Sequence, residues 1–189
     1  MICSRRASRT SLFALVLAGS LLLPVKPAHA LMGVTVAAGA GIHAPSDGLA
    51  GSLWGSADAF GWGVAGHFWR RLSTTPDHWL ALQVRKNVSP IPMISIMPGV
   101  GVAGLGGPTQ TALGPMASVT GRFAPFLLPF AFEAQAGAAW INNSLALPYS
   151  VGAKISLIPF TAVALRWRGW EGNSTIRSAG PELGVEAGF

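Results

Sequence analysis

The last stretch of the chain, Ala179 to Phe189, reads A-G-P-E-L-G-V-E-A-G-F. Its odd positions, Ala179, Pro181, Leu183, Val185, Ala187 and Phe189, are apolar, and its even positions, Gly180, Glu182, Gly184, Glu186 and Gly188, are glycine or carboxylate. In a strand, a period of two sends these sets to opposite faces. A soluble sheet does the same, so the rest of the chain has to decide what the apolar face meets.

The alternation recurs upstream. Met32, Val34, Val36, Ala38, Ala40 and Ile42 oppose Gly33, Thr35, Ala37, Gly39, Gly41 and His43. Phe60, Trp62, Val64, Gly66 and Phe68 oppose Gly61, Gly63, Ala65, His67 and Trp69, and Leu80, Leu82 and Val84 oppose Ala81, Gln83 and Arg85. Val119, Gly121 and Phe123 oppose Thr120 and Arg122; Phe130, Phe132, Ala134, Ala136, Ala138 and Trp140 oppose Ala131, Glu133, Gln135, Gly137 and Ala139. Val151, Ala153 and Ile155 oppose Gly152 and Lys154, and Val163, Leu165 and Trp167 oppose Ala164, Arg166 and Arg168. With the last stretch these make eight expected strands. Ala44 to Leu53, Arg71 to Asp77, Ala124 to Leu127, Ile141 to Pro148, Ile158-Pro159 and Gly169 to Arg177 read as loops or turns. Val88 to Thr111, rich in Pro, Gly and apolar residues, resists assignment; two strands there would raise the number to ten.

The N-terminus has an export signature. Arg5, Arg6 and Arg9 precede an apolar run from Leu12 to Leu23, followed by Pro24, Pro27 and Ala28-His29-Ala30. A basic region, a short apolar core and an A-x-A site predict a signal peptide over 1–30, cleaved after Ala30. The general secretory route is expected, since Ala7 and Ser8 after the arginine pair fit the twin-arginine pattern poorly. Cys3 precedes the apolar run, so the mature chain has no cysteine.

Cleavage also removes Arg5, Arg6, Arg9 and Lys26 of the 13 basic residues, leaving a net charge of about +2 against seven acidic ones, which implies no nucleic-acid partner. The segment 31–189 suits one domain. Half of the chain is apolar and only 11% charged, yet no apolar run after the signal is long and uninterrupted enough for a spanning helix. Such a chain either buries a large core or offers lipid an alternating surface.

The alternating strands, the signal and the terminal Phe189 resemble bacterial outer-membrane β-barrels of the small OmpA/OmpX-like class. The resemblance implies an all-β, up-and-down antiparallel transmembrane barrel of eight strands, with ten as the alternative. It also implies short turns at the periplasmic end, expected at Arg71 to Asp77, Ala124 to Leu127 and Ile158-Pro159. Trp62, Trp140, Tyr149 and Trp167 then read as an outer aromatic girdle and Phe68, Phe123, Phe160 and Phe189 as an inner one.

The inward faces carry Arg85, Arg122, Glu133, Lys154, Arg166, Arg168, Glu182 and Glu186, an expected lumen charge network. A last hairpin centred near Ser174 sets Arg166 opposite Glu182, and short turns set Glu133 between Arg122 and Lys154. Glycines on the first and last strands, including Gly39, Gly41 and Gly184, are expected to leave room for the long basic side chains. The alternative is a secreted β-sandwich with the aromatics as its core.

No catalytic, cofactor-binding or metal-binding residues are expected. The mature chain has three histidines, His43, His67 and His78, without metal-ligand spacing. No outward Ser and His pair forms a nucleophile and base in the assigned strands. The expected role is structural or surface-interacting, through outer loops, with a plugged lumen; a narrow pore and a lipid-active enzyme are the alternatives. Expected partners are outer-membrane lipid and lipopolysaccharide, and the barrel-assembly machinery through the C-terminal strand. The expected state is a monomer in the outer membrane.

Overall fold

A computed structural model describes residues 34–46, 48–72, 77–107, 111–125, 128–158, 160–172 and 178–188. The signal segment and Phe189 lie outside the described residues. Within them the chain is all β: β1 Val34–His43, β2 Ala50–Ala59, β3 Trp62–Arg71, β4 His78–Lys86, β5 Val88–Ile91, β6 Ile94–Gly106, β7 Thr111–Phe123, β8 Phe130–Ile141, β9 Ser144–Ile158, β10 Thr161–Gly172 and β11 Ser178–Gly188. No helix among them is long and apolar enough to cross a membrane.

The strands pair antiparallel in sequence order, and β1 pairs with β11 from Ala37↔Gly188 to His43↔Glu182, which closes the sheet into a barrel. β4 and β5 both pair with β6 and form one stave interrupted at Asn87. The barrel therefore has ten staves, not eight. Following the register round the circumference shifts the start by about a dozen residues, which corresponds to staves tilted by roughly 40°.

Two strands escape the sequence pattern. The first is β2, within and beyond the expected loop Ala44 to Leu53. Its large residues Leu53 and Trp54 are adjacent, so one faces out and the other in, and the flanking Gly, Ser and Ala hide the period. The second is β6, in the unassigned Val88 to Thr111. Only one of the two extra staves comes from that segment.

Missing β2 reverses the expected direction of the next two strands, and missing β6 restores it. Arg71 to Asp77 accordingly lies at the end opposite Ala124 to Leu127 and Ile158-Pro159. Trp62 and Phe68 exchange ends: Trp62 begins β3 beside Lys86, at the end where Val34 and Gly188 lie (the terminus end), whereas Phe68 lies toward the opposite, loop end.

Two tight turns also differ from expectation. Phe60-Gly61 (φ 54° and 77°), expected inside a strand, joins β2 to β3, and Asn142-Asn143 (φ 50° and 57°), expected within a longer loop, joins β8 to β9. Positive φ at both central residues gives the tight turn whose twist matches the strands it joins. The expected loop Ile141 to Pro148 is thus a two-residue turn, and β9 already includes Ser144–Pro148.

The prolines do not break the barrel, because they fall where ladders stop or skip. Pro98 lies between the last β4–β6 pair, Arg85↔Gly99, and the first β5–β6 pair, Val88↔Ile96. Pro148 falls in the gap between Ala136↔Tyr149 and Ala139↔Ala146. Pro115 and Pro181 lie one residue beyond the ends of the β7–β8 and β1–β11 ladders. A residue without an N–H removes no bond from a continuous ladder at such places.

The outer face carries exposed apolar side chains all round, among them Leu53, Val64, Leu82, Val100, Val119, Val151, Leu165 and Leu183. Charge on that face is found at strand ends: Arg70 and Glu171 at the loop end, Lys86 at the other. The Lys86 ammonium sits 4.7 Å from the centroid of the Trp62 ring.

Candidate functional site

The distinctive chemistry lies in the lumen, where the small and polar face of every stave converges. On β10 the inward positions are Arg166, Arg168 and Trp170, and on β11 they are Ser178, Glu182 and Glu186. The hairpin register sets Arg166 directly opposite Glu182.

From that alignment a chain of ion pairs runs along the inner wall across the four adjacent staves β8 to β11. Lys154 Nζ lies 3.1 Å from Glu133 Oε2 and 2.9 Å from Glu186 Oε2. Arg166 reaches Glu182 and Glu186, each at 3.2 Å, and Arg168 reaches Glu182 at 3.3 Å. Arg168 also donates to Nε2 of His67, so that histidine is an acceptor within the network. Charges removed from water are tolerated only when paired in this way.

Arg85 is placed separately. It makes a two-pronged contact with Asp58 on β2, through Nε to Oδ1 at 2.9 Å and Nη2 to Oδ2 at 2.5 Å. Asp58 lies on β2, a strand whose inward face consists of Trp54, Ser56 and Asp58 and which the sequence pattern hides. Arg122 stands opposite Glu133 in register but is exposed at the end of β7, outside the ion pairs.

Trp54, also unassigned in the sequence reading, lies at the centre of the network. Its Nε1 donates to Glu186 Oε2 at 2.8 Å, and the Arg166 guanidinium lies 4.4 Å from its ring centroid. Two of the glycines expected to make room for basic side chains instead accommodate this indole: a Cβ on Gly39 would meet Trp54 Nε1 at 2.6 Å, and one on Gly184 would meet Cη2 closer still.

Toward the loop end the lumen changes from ionic to aromatic. Trp69, Trp79 and Trp170 are buried with Met116, Ile141, Ala50, Ala103, Ala139 and Ala146. Trp170 stands edge-on to Trp69 at 4.7 Å between ring centroids and stacks on Trp79 at 5.6 Å. Trp69 Nε1 donates to His43 Nδ1 at 2.6 Å, leaving His43 Nε2 to donate to the Arg168 carbonyl at 3.2 Å. These three indoles seal that section of the cylinder.

Below the seal lies a chamber of about 490 Å³. It runs from Trp79 and Trp170 past the ion-pair chain to Thr35, Ser95, Arg122 and Gly188, at the end where the termini lie. Ten staves rather than eight provide the width for it, since barrel diameter grows with strand number.

Outside the lumen, His78 opens β4 with its Nε2 2.7 Å from Thr111 Oγ1 at the exposed loop end. Among the described residues, no group of three or more metal-ligating side chains comes together.

No protein-family model matches the sequence, and no curated protein matches it. Solved structures do match in fold. An outer-membrane protein of Vibrio cholerae, OmpT without loop L8, is 11% identical over 75% of this chain and 54% of its own, with a TM-score of 0.41, so the chain spans about half its length. The KdgM porin in complex with disordered oligogalacturonate is 13% identical over 82% and 99%, with a TM-score of 0.44. The N-terminal β-barrel domain of Pseudomonas aeruginosa OprF is 13% identical over 84% and 98%, with a TM-score of 0.38. The structures this chain is similar to are thus bacterial outer-membrane β-barrel proteins, and the chain itself is a closed antiparallel barrel.

Proposed function

We propose that the protein is a bacterial outer-membrane barrel with a plugged, ion-paired interior, acting as a structural or surface-interaction protein through the loops at the end away from its termini. The observation that carries this reading is the inversion of the usual arrangement: Leu165, Leu183, Val100 and Leu113 are each at least 59% exposed, while Arg166 and Glu182 are at most 5% exposed. In water such an apolar exterior would be an aggregation hazard. In hydrocarbon it is the required surface, and closure leaves the sheet without an open edge of unpaired backbone groups.

On this reading the terminus end faces the periplasm, and outer-membrane lipid and lipopolysaccharide cover the belt. The C-terminal strand, which forms the seam with β1, is the segment presented to the barrel-assembly machinery. The Trp62–Lys86 contact suits an interface between hydrocarbon and headgroups. On this reading the protein is a monomer, and closure leaves no sheet edge to which a second copy could add a strand.

The test is electrophoretic. Detergent-folded protein run with and without boiling should give two bands, the unboiled form migrating as a compact species; a single position would overturn the barrel reading. A narrow pore is the second reading, favoured by the chamber. Planar-bilayer recordings decide it, a silent bilayer supporting the plug and discrete conductance steps supporting the pore.

A further inference from the structure

We propose that the chamber is a blind pocket for a small oxyanionic solute, a carboxylate or phosphate ester, entering from the end where the termini lie. The proposal rests on the barrel reading for its sidedness and goes beyond it in naming a ligand class.

The first argument is charge. Asp58 is taken by Arg85 at 2.5 Å, and Glu133 and Glu186 share Lys154 at 3.1 and 2.9 Å. Glu182 is held between Arg166 and Arg168 at 3.2 and 3.3 Å. Among the described residues that line the lumen, each carboxylate is matched and one cation is left over. That cation is Arg122, whose nearest carboxylate across the ladder, Glu133, is already engaged by Lys154.

The second argument is position. Arg122 is exposed at the mouth, in register with Ser95 on β6, and both line the chamber. A cleft lined by one excess sign of charge, with low-dielectric walls, concentrates ions of the opposite sign. The guanidinium presents a planar fork of donors that fits a carboxylate or phosphate in two-pronged fashion.

The third argument is the wall and the floor. Beyond Arg122 the lining offers the uncharged hydrogen-bonding side chains of Thr120 and Gln135, suited to the hydroxyls of a polar solute. The tryptophan layer stops further passage. A solute admitted at the mouth is held rather than conducted.

Trifluoroacetate followed by ¹⁹F NMR, with protein folded in a non-ionic detergent and verified by its band shift, tests this. Saturable perturbation of trifluoroacetate but not of trifluoroethanol is expected. Arg122→Gln should weaken binding about fivefold or more, and Glu133→Gln, which removes the carboxylate that stands opposite Arg122 while Lys154 keeps Glu186, should strengthen it. Competition separates the sources: displacement at lower concentration by inorganic phosphate assigns phosphate esters, and by acetate assigns carboxylic acids. Equal response to both fluorinated probes, or binding unchanged in both band-shifted variants, overturns the pocket while leaving the barrel standing. Absence of the band shift overturns the barrel itself.

Discussion

Arg166 and Glu182 face each other across the last hairpin at 3.2 Å, with side chains 4% and 1% exposed. Glu182 also holds Arg168, and whereas Arg166 has Glu186 as a second partner, Glu182 is the one carboxylate paired with Arg168 among the described residues. Glu182→Gln should therefore destabilise the folded barrel by about 3–5 kcal/mol, because it leaves buried positive charge uncompensated. Replacing Arg166 and Glu182 together with apolar residues of similar volume should cost less than Glu182→Gln alone. Urea unfolding in lipid vesicles, read as the shift in transition midpoint, measures both.

The belt predicts an effect of opposite logic. Leu165 is 59% exposed on β10. On a water-facing sheet, Leu165→Arg would change stability by no more than about 0.5 kcal/mol. Facing hydrocarbon, the same change should cost about 2–4 kcal/mol, falling as the site moves toward an interface. The vesicle unfolding experiment separates the outcomes, and a neutral Leu165→Arg would falsify the lipid-facing assignment.

Removing two indoles tests the seal. Trp69→Ala with Trp170→Ala takes out the edge-on pair and the plate stacked on Trp79. Each truncation should cost about 3–5 kcal/mol. The folded fraction, selected by its band shift, should give conductance steps in planar bilayers where the parent gives none. Retained silence would show that another layer blocks the path.

Gly39 reports on Trp54. Its Cβ would fall within van der Waals contact of the indole, 2.6 Å from Nε1, so Gly39→Ala must push the ring off its site. The displaced indole loses its bond to Glu186 and its place beneath Arg166. We expect a loss of about 1–3 kcal/mol. Gly51→Ala, where an added Cβ meets nothing within 4 Å, is the control and should lose far less. Thermal melting of the compact gel band compares them.

Legibility in the sequence followed side-chain size. Where large apolar residues alternate with small or charged ones, as in Phe130–Ile141 or Ser178–Gly188, one period fixes strand, facing and lumen charge together. In β2, Leu53 beside Trp54 makes two opposite-facing residues look like one cluster, which hides the strand and with it the inward facing of Trp54 and Asp58. In β6 the alternation Ile96, Pro98, Val100, Val102 is present, but Pro98 reads as a breaker unless the ladder gap opposite it is known. The pairing Arg166↔Glu182 needed only a hairpin centre. Partners from distant staves, such as Trp69 with His43 or Arg168 with His67, depend on how the cylinder closes, which no local pattern encodes.

The seam has a kinetic consequence. His43 finds Glu182 only after nearly the whole sequence between them has been synthesised, and until then β1 and β10 each expose a row of unmatched amides. Pairings so distant along the polypeptide form slowly and leave incomplete intermediates prone to clump. A chain truncated before Ser178 is thus not a smaller version of the protein but an open ribbon with two adhesive margins, and translation must finish before folding can.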